Sequence, residues 1–160
     1  MIKYIYTFFV ALFLAIFVGF GISVFYESPK PPAQPGWYNS PNIGKTEPTE
    51  AQRLEETAYN AKMDEFQKTT MSNYNRNVSV IVLVVAVVIL VISLVFETKL
   101  GIISDGILLG GIFTLLYGVG RGINVDSNKY RFLVATIGLL VTIALGYIKF
   151  VPKGLKVTKR

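Results

Sequence analysis

The chain contains neither cysteine nor histidine. Without cysteine there is no disulfide framework and no thiol nucleophile. Without histidine the usual general base and the commonest metal ligand are missing as well. Charge is scarce: 16% of the 160 residues are charged, against about 25% in an average soluble domain. No Walker A, GxSxG or HExxH pattern occurs. An enzyme would lack its ordinary reagents here, so the expectation is a non-enzyme with no catalytic residue, no metal ligand and no cofactor.

Apolar residues take up the space. They make 52% of the chain, and the mean hydropathy is +0.49. They are clustered into 1–26, 78–96, 100–120 and 130–151. Each run is long enough to cross a hydrocarbon core, which takes about 20 helical residues. The expected fold class is therefore all-α integral membrane, with four transmembrane helices. The first run lacks a small-residue cleavage site and leaves through Phe25-Tyr26-Glu27. It reads as a retained signal anchor.

Six of the seven prolines fall within 27–48. Proline fixes φ and lacks a donor, so this stretch is expected to be an extended tether outside the membrane. "PKPPAQP" could also be a ligand for a proline-reading domain. The pair Trp37-Tyr38 is expected to fold back onto the headgroup layer, where amphipathic rings partition. Then Thr49-Glu50-Ala51-Gln52 fits a capping box. No glycine or proline follows until the second span ends, so 49–77 should be an external helix continuous with span 78–96. Ala51, Leu54, Ala58 and Ala61 form one narrow apolar stripe; Tyr59, Met63, Phe66 and Thr70 lie on an adjacent face. A lone helix of this length is poorly supported in water, so a protein partner is expected at it.

Helices meet in lipid through small residues. The third span carries Gly106, Gly110, Thr114, Gly118 and Gly122; the first carries Ala11, Ala15, Gly19 and Ser23; the fourth carries Gly138, Thr142 and Gly146. Ser79, Ala86 and Ser93 recur at spacing seven in the second. The third span is expected to be the most enclosed, against the first and fourth, and copies of the chain are expected to self-associate.

Asp105 stands six residues into the third span. A carboxylate there should cap the helix with Ser104, pair with Lys99, Lys149 or Lys3, or line an ion path. Arg121, Asp126 and Arg131 bracket the loop 121–129. The tail 152–160 is basic, which points to anionic lipid headgroups and not to nucleic acid. The same bias places both termini and 97–99 in the cytoplasm, in a multi-pass plasma-membrane protein of a prokaryotic inner membrane.

The segments "DGILLGGIFTLLYGVGR" and "KYRFLVATIGLLVTIALGY" resemble the glycine-rich C-terminal hairpin of uncharacterised small multi-span prokaryotic membrane proteins. That resemblance implies a membrane hairpin and no activity. The function expected from the residues is a scaffold or assembly subunit. The alternative is a small homo-oligomeric channel or transporter with Asp105 on the path.

Overall fold

The computed structural model describes residues 2–39 and 47–150. Pro41, the stop signals Pro152 and Gly154, and the basic tail 152–160 lie outside the described residues. The elements are α1 (Ile2–Phe25), a 3-10 turn (Gly36–Asn39), α2 (Glu50–Glu65), a π turn (Phe66–Met71), α3 (Ser72–Val95), α4 (Glu97–Leu100), α5 (Ile102–Ile123) and α6 (Asn128–Phe150). No strand occurs among the described residues. Four helices are long and apolar enough to cross a membrane: Ile2–Phe25, Glu50–Val95, Ile102–Ile123 and Asn128–Lys149.

The second of these is a single helical run of 46 residues, about 69 Å long at 1.5 Å per residue. It starts at a complete capping box. The Thr49 backbone N–H donates to Gln52 Oε1 (2.8 Å) and the Gln52 N–H to Thr49 Oγ1 (3.4 Å), which satisfies two donors that the first turn would leave free. The half-buried side of α2 is Gln52, Glu56, Tyr59, Met63 and Phe66, stepping by three and four. The next half-buried residue is Met71, five on, followed by Tyr74, Val78 and Val82. The π turn makes that step: the Ser72 N–H donates to Gln67 O, five residues back. A wider turn takes up the extra residue and keeps one face aligned from the arm down into the bundle.

The bundle is organised around α5, which packs most extensively on α3, then on α1, and less on α6. Between α3 and α5 the chain reverses through α4 and Gly101, whose φ of 50° and ψ of −116° suit glycine. Ser79, Ala86 and Ser93 are fully buried on α3. Seven residues turn about 700°, which is 20° short of two turns, so all three stay on the α5 side. Ser93 Oγ donates to Ser104 O (2.7 Å) and Ser104 Oγ donates to Ser93 O (2.6 Å), cross-linking α3 to α5. Ser79 Oγ donates to Gly118 O at 2.8 Å.

Helix α5 runs past Gly120 to Ile123, and α6 begins at Asn128. The loop is shorter than 121–129 because Gly122 is itself a packing residue: a Cβ there would lie 2.8 Å from both Ser79 Oγ and Val134 Cγ1. The loop is held to α3 by the Asp126 N–H on Ser72 Oγ (2.9 Å) and by Tyr130 OH on Arg76 O (3.1 Å).

Candidate functional site

The small residues of α5 divide among three neighbours. A spacing of four turns about 400°, so each step rotates the ladder by about 40°. A Cβ at Gly106 would sit 2.9 Å from Val10 Cβ, and one at Gly110 2.8 Å from Leu14 Cδ2 and 3.3 Å from Ala11 Cα. Both positions face α1. Gly118 has turned to Val82 and Leu83 of α3, and Gly122 meets α3 and α6 together. The ladder is thus a stripe that winds round α5 and serves α1 at one end and α3 with α6 at the other. It does not form one face. Gly111, outside the spacing-four pattern, is as tightly packed as any ladder glycine: a Cβ there would be 2.6 Å from Leu90 Cδ2.

On α1, Ala11 is buried against α5. Ala15, Gly19 and Ser23 instead line an open groove of about 450 Å³ with Ile16, Phe20 and Tyr117. A Cβ at Gly19 would meet no atom within 4 Å, and Ser23 Oγ donates back to Phe20 O at 2.8 Å. On α6, Gly138 is buried facing Val119 at 2.9 Å from its built Cβ, whereas Gly146 has open space around it. Among the described residues, Gly19, Ser23 and Gly146 make no close helix contact of the kind Gly106 and Gly110 make. Among the same residues, no atom would lie within 4 Å of a Cβ at Gly19 or Gly146.

At the end of the bundle away from α2, Lys149 Nζ bridges two carboxylates. It pairs with Glu97, and with Asp105 Oδ1 at 3.2 Å. Glu97 lies on α4, Asp105 in the first turn of α5, and Lys149 in the last turn of α6. The cluster ties the loosely packed α6 to the α3–α5 reversal. Lys99 is exposed and makes no ion pair among the described residues, nor does Lys3, so the partner of Asp105 is Lys149. Ser104 is no cap. The N-cap of α5 is Gly101, without a side-chain bond, and Ser104 is turned inward to Ser93. In the sequence Glu97 falls in the short connection 97–99, with no spacing that links it to Lys149. Among the described residues one lysine serves two acids, in a partly exposed setting where each pair contributes about 0–1 kcal/mol.

The hydroxyls along the apolar helices are spent locally. Thr114 Oγ1 donates to Gly110 O and Thr142 Oγ1 to Gly138 O, each at 2.8 Å. With the Ser93–Ser104 and Ser79–Gly118 bonds, these groups satisfy backbone carbonyls and line no common surface.

At the other end, α2 carries a second ply. Pro29, Pro32 and Pro35 are half-buried while Lys30, Pro31, Ala33 and Gln34 are exposed. That period of three is the period of polyproline II. Pro29 lies by Thr69 and Thr70, and Pro35 by Glu55, Tyr59 and Lys62, so the segment runs antiparallel to α2. Lengths agree. From Tyr26, stacked on Tyr74, to Trp37 is eleven residues, about 34 Å in polyproline II. The helix from Tyr74 to Glu55 spans about 28 Å.

Trp37 Nε1 donates to Glu55 Oε2 (3.0 Å) and Tyr38 OH to Glu56 Oε1 (3.4 Å). The Tyr38 hydroxyl titrates above its ordinary 10, through desolvation first and then the Glu56 charge. It stays a donor at neutral pH. The two rings therefore dock on the helix, some 20 residues from the bundle, where Glu55 and Glu56 offer acceptors. The stripe Ala51, Leu54, Ala58 and Ala61 remains exposed. Alanines offer the rings little area, and the larger Tyr59, Met63 and Phe66 make the half-buried face.

The base of this arm is fixed to the bundle. Tyr26 and Tyr74 stack at 5.2 Å, nearly parallel, and Arg121 lies over the Tyr74 ring at 5.1 Å. Tyr74 OH donates to Tyr26 O (3.2 Å) and Asn77 Nδ2 to Tyr26 OH (2.9 Å). Arg121 and Asn77 appeared only as loop-end and helix-end polar residues in the sequence. Among the described residues no group of three or more metal-ligating side chains forms. Compared with known proteins, the chain matches no family profile, no curated protein and no solved structure.

Proposed function

We propose that this chain is a non-enzymatic membrane scaffold or assembly subunit, whose four spans hold out a stiff arm for a protein partner. The observation that carries this reading is the two-ply arm. A helix continuous with a span is splinted along about 28 Å by a proline edge and locked by Trp37 and Tyr38. A splint of this kind lowers the entropy of presenting a surface. Leu54, 72% exposed on the free stripe, is the apolar centre of that surface. Self-association through the spans completes the reading. Among the described residues nothing lies within 4 Å of a Cβ built at Gly19 or Gly146, and small residues facing lipid are where helices of another copy approach.

The distribution of positive residues supports an orientation with both termini in the cytoplasm of a prokaryotic plasma membrane, the arm outside and anionic headgroups as partner of the basic tail. The first helix acts as a retained signal anchor, the proline segment as its external tether, and nucleic acid is not a partner. Photo-crosslinking from position 54 in intact cells, with native mass spectrometry in nanodiscs, tests the assembly. The expected result is a crosslinked partner and an oligomer that Gly19→Leu or Gly146→Leu dissociates. A monomer with no crosslink at any expression level overturns the reading. The second reading, a channel, draws support from the single excess negative charge at Glu97, Asp105 and Lys149. It requires cation flux in liposomes that Asp105→Asn reduces while the assembly stays intact.

A further inference from the structure

The arm and bundle meet around a cleft that neither reading uses. One wall is the exit of α1, held rigid by the Tyr26–Tyr74 stack and its two hydrogen bonds. The other is the helix between the π turn and Asn77. Glu27 and Pro29 close the side, and the volume is about 540 Å³, within the usual range of about 300–1,000 Å³ for small-ligand sites.

The lining has a definite chemistry. Phe25 and Tyr26 supply ring surface, Thr69 and Thr70 hydroxyls, Asn73 and Asn77 amides, and Glu27 a carboxylate. Thr57, Thr114, Thr136 and Thr142 all donate to the carbonyl four residues back. Thr69 and Thr70, inside the π turn, line the cleft and have no such bond among the described residues. π turns inside helices occur frequently at functional sites. No lysine or arginine lines the cleft; the Arg121 guanidinium is behind it, over the far ring of the stack. Anionic headgroups are recognised by basic clusters, so a phosphate-only headgroup has no counter-charge here.

The position narrows the ligand further. Phe25, 91% exposed, ends the apolar helix α1. Asn77 immediately precedes the apolar part of α3. The cleft therefore straddles the boundary between the apolar spans and the polar arm, at the depth of lipid headgroups. A ligand suited to it has a flat, weakly polar face for the rings, several neutral hydroxyls at its edge, and an apolar continuation beside Phe25.

We propose that this cleft binds the neutral glycosyl headgroup of a membrane glycolipid, with the sugar ring against Phe25 and Tyr26 and its hydroxyls on Thr69, Thr70, Asn73 and Glu27. The proposal depends on the four apolar helices being spans, and on neither the scaffold nor the channel reading.

The full chain in phosphatidylcholine nanodiscs, doped with either monoglucosyl diacylglycerol or phosphatidylglycerol, provides the test. Native mass spectrometry after release reads the retained lipid. The expected result is glucolipid retained at least about fivefold over phosphatidylglycerol, an enrichment the size of one or two hydrogen bonds. The double variant Thr70→Val/Asn73→Ala, both positions exposed, should abolish that preference while circular dichroism is unchanged; Asn60→Ala, on the arm, should leave it intact. Methyl β-glucoside competing without any lipid preference assigns the same glycosyl site to a free saccharide. Equal retention of the two lipids without glucoside competition, preference for phosphatidylglycerol, or undiminished enrichment in the folded double variant overturns the proposal.

Discussion

Replacing Gly106 by alanine and, separately, Gly120 by alanine isolates the close approach of α1 to α5. Both glycines are inside the same helix, so both changes gain the same intrinsic helix preference of alanine, about 1 kcal/mol. They differ in what the new methyl meets. At Gly106 it would lie 2.9 Å from both Cβ and Cγ1 of Val10 and 3.4 Å from Thr7 O. Val10 is β-branched and its Cβ is fixed to the backbone, so no rotamer change relieves the contact. The helices must separate. Overpacking of this kind costs about 1–3 kcal/mol. At Gly120 nothing lies within 4 Å, so only the helix gain remains. Gly106→Ala should therefore be neutral to about 2 kcal/mol destabilising, and Gly120→Ala stabilising by up to about 1 kcal/mol. The difference between the variants, about 1–3 kcal/mol, is the clash alone, because the propensity term cancels. Reversible unfolding in bicelles, followed by circular dichroism, measures it. A difference under about 0.5 kcal/mol, the scatter of substitutions that touch nothing, would refute the packing of α1 on α5.

Gly101→Ala forces a side chain into φ 50°, ψ −116° and should cost about 1–3 kcal/mol in the same assay; a neutral effect would mean the reversal before α5 is not built this way. Asp105→Asn should cost under about 1 kcal/mol, since the side chain is 56% exposed, whereas Lys149→Met, which leaves Glu97 and Asp105 facing each other, should cost more; the reverse order in thermal stability would place the Lys149 bridge elsewhere. Thr49→Ala removes the capping oxygen and should lower the helicity of the arm at a cost of about 1 kcal/mol, read by hydrogen exchange at residues 50–53; unchanged exchange there would contradict the cap. Ser28→Cys should react with an impermeant maleimide on intact cells and Lys99→Cys should not; the opposite labelling would invert the proposed orientation.

Some of this architecture is written locally in the chain. Four apolar runs of spanning length, a Thr-Glu-Ala-Gln start and an absence of helix breakers from Glu50 to Phe96 are properties of neighbouring residues. Hydropathy, capping and backbone preference act at that range, so the apolar helices and the capping box could be read directly. The absence of cysteine and histidine is equally local in its meaning.

Which residues meet was decided elsewhere. A spacing of four names a stripe but not its partner, because the 40° drift per step carries Gly106 to Val10 and Gly122 to Val134. The choice of Lys149 over Lys99 for Asp105 depends on α6 returning to the α4 reversal, more than 40 residues along the chain. Trp37 found Glu55 because a proline edge of period three is long enough to run back along the helix beside it. The five-residue step from Phe66 to Met71 reads as a break in a helical stripe until the π turn absorbs it. Sequence spacing determines the direction in which a side chain leaves its helix; only the crossing of that helix with its neighbours determines what the side chain meets there, because contact depends on the position of two axes and a sequence describes one at a time.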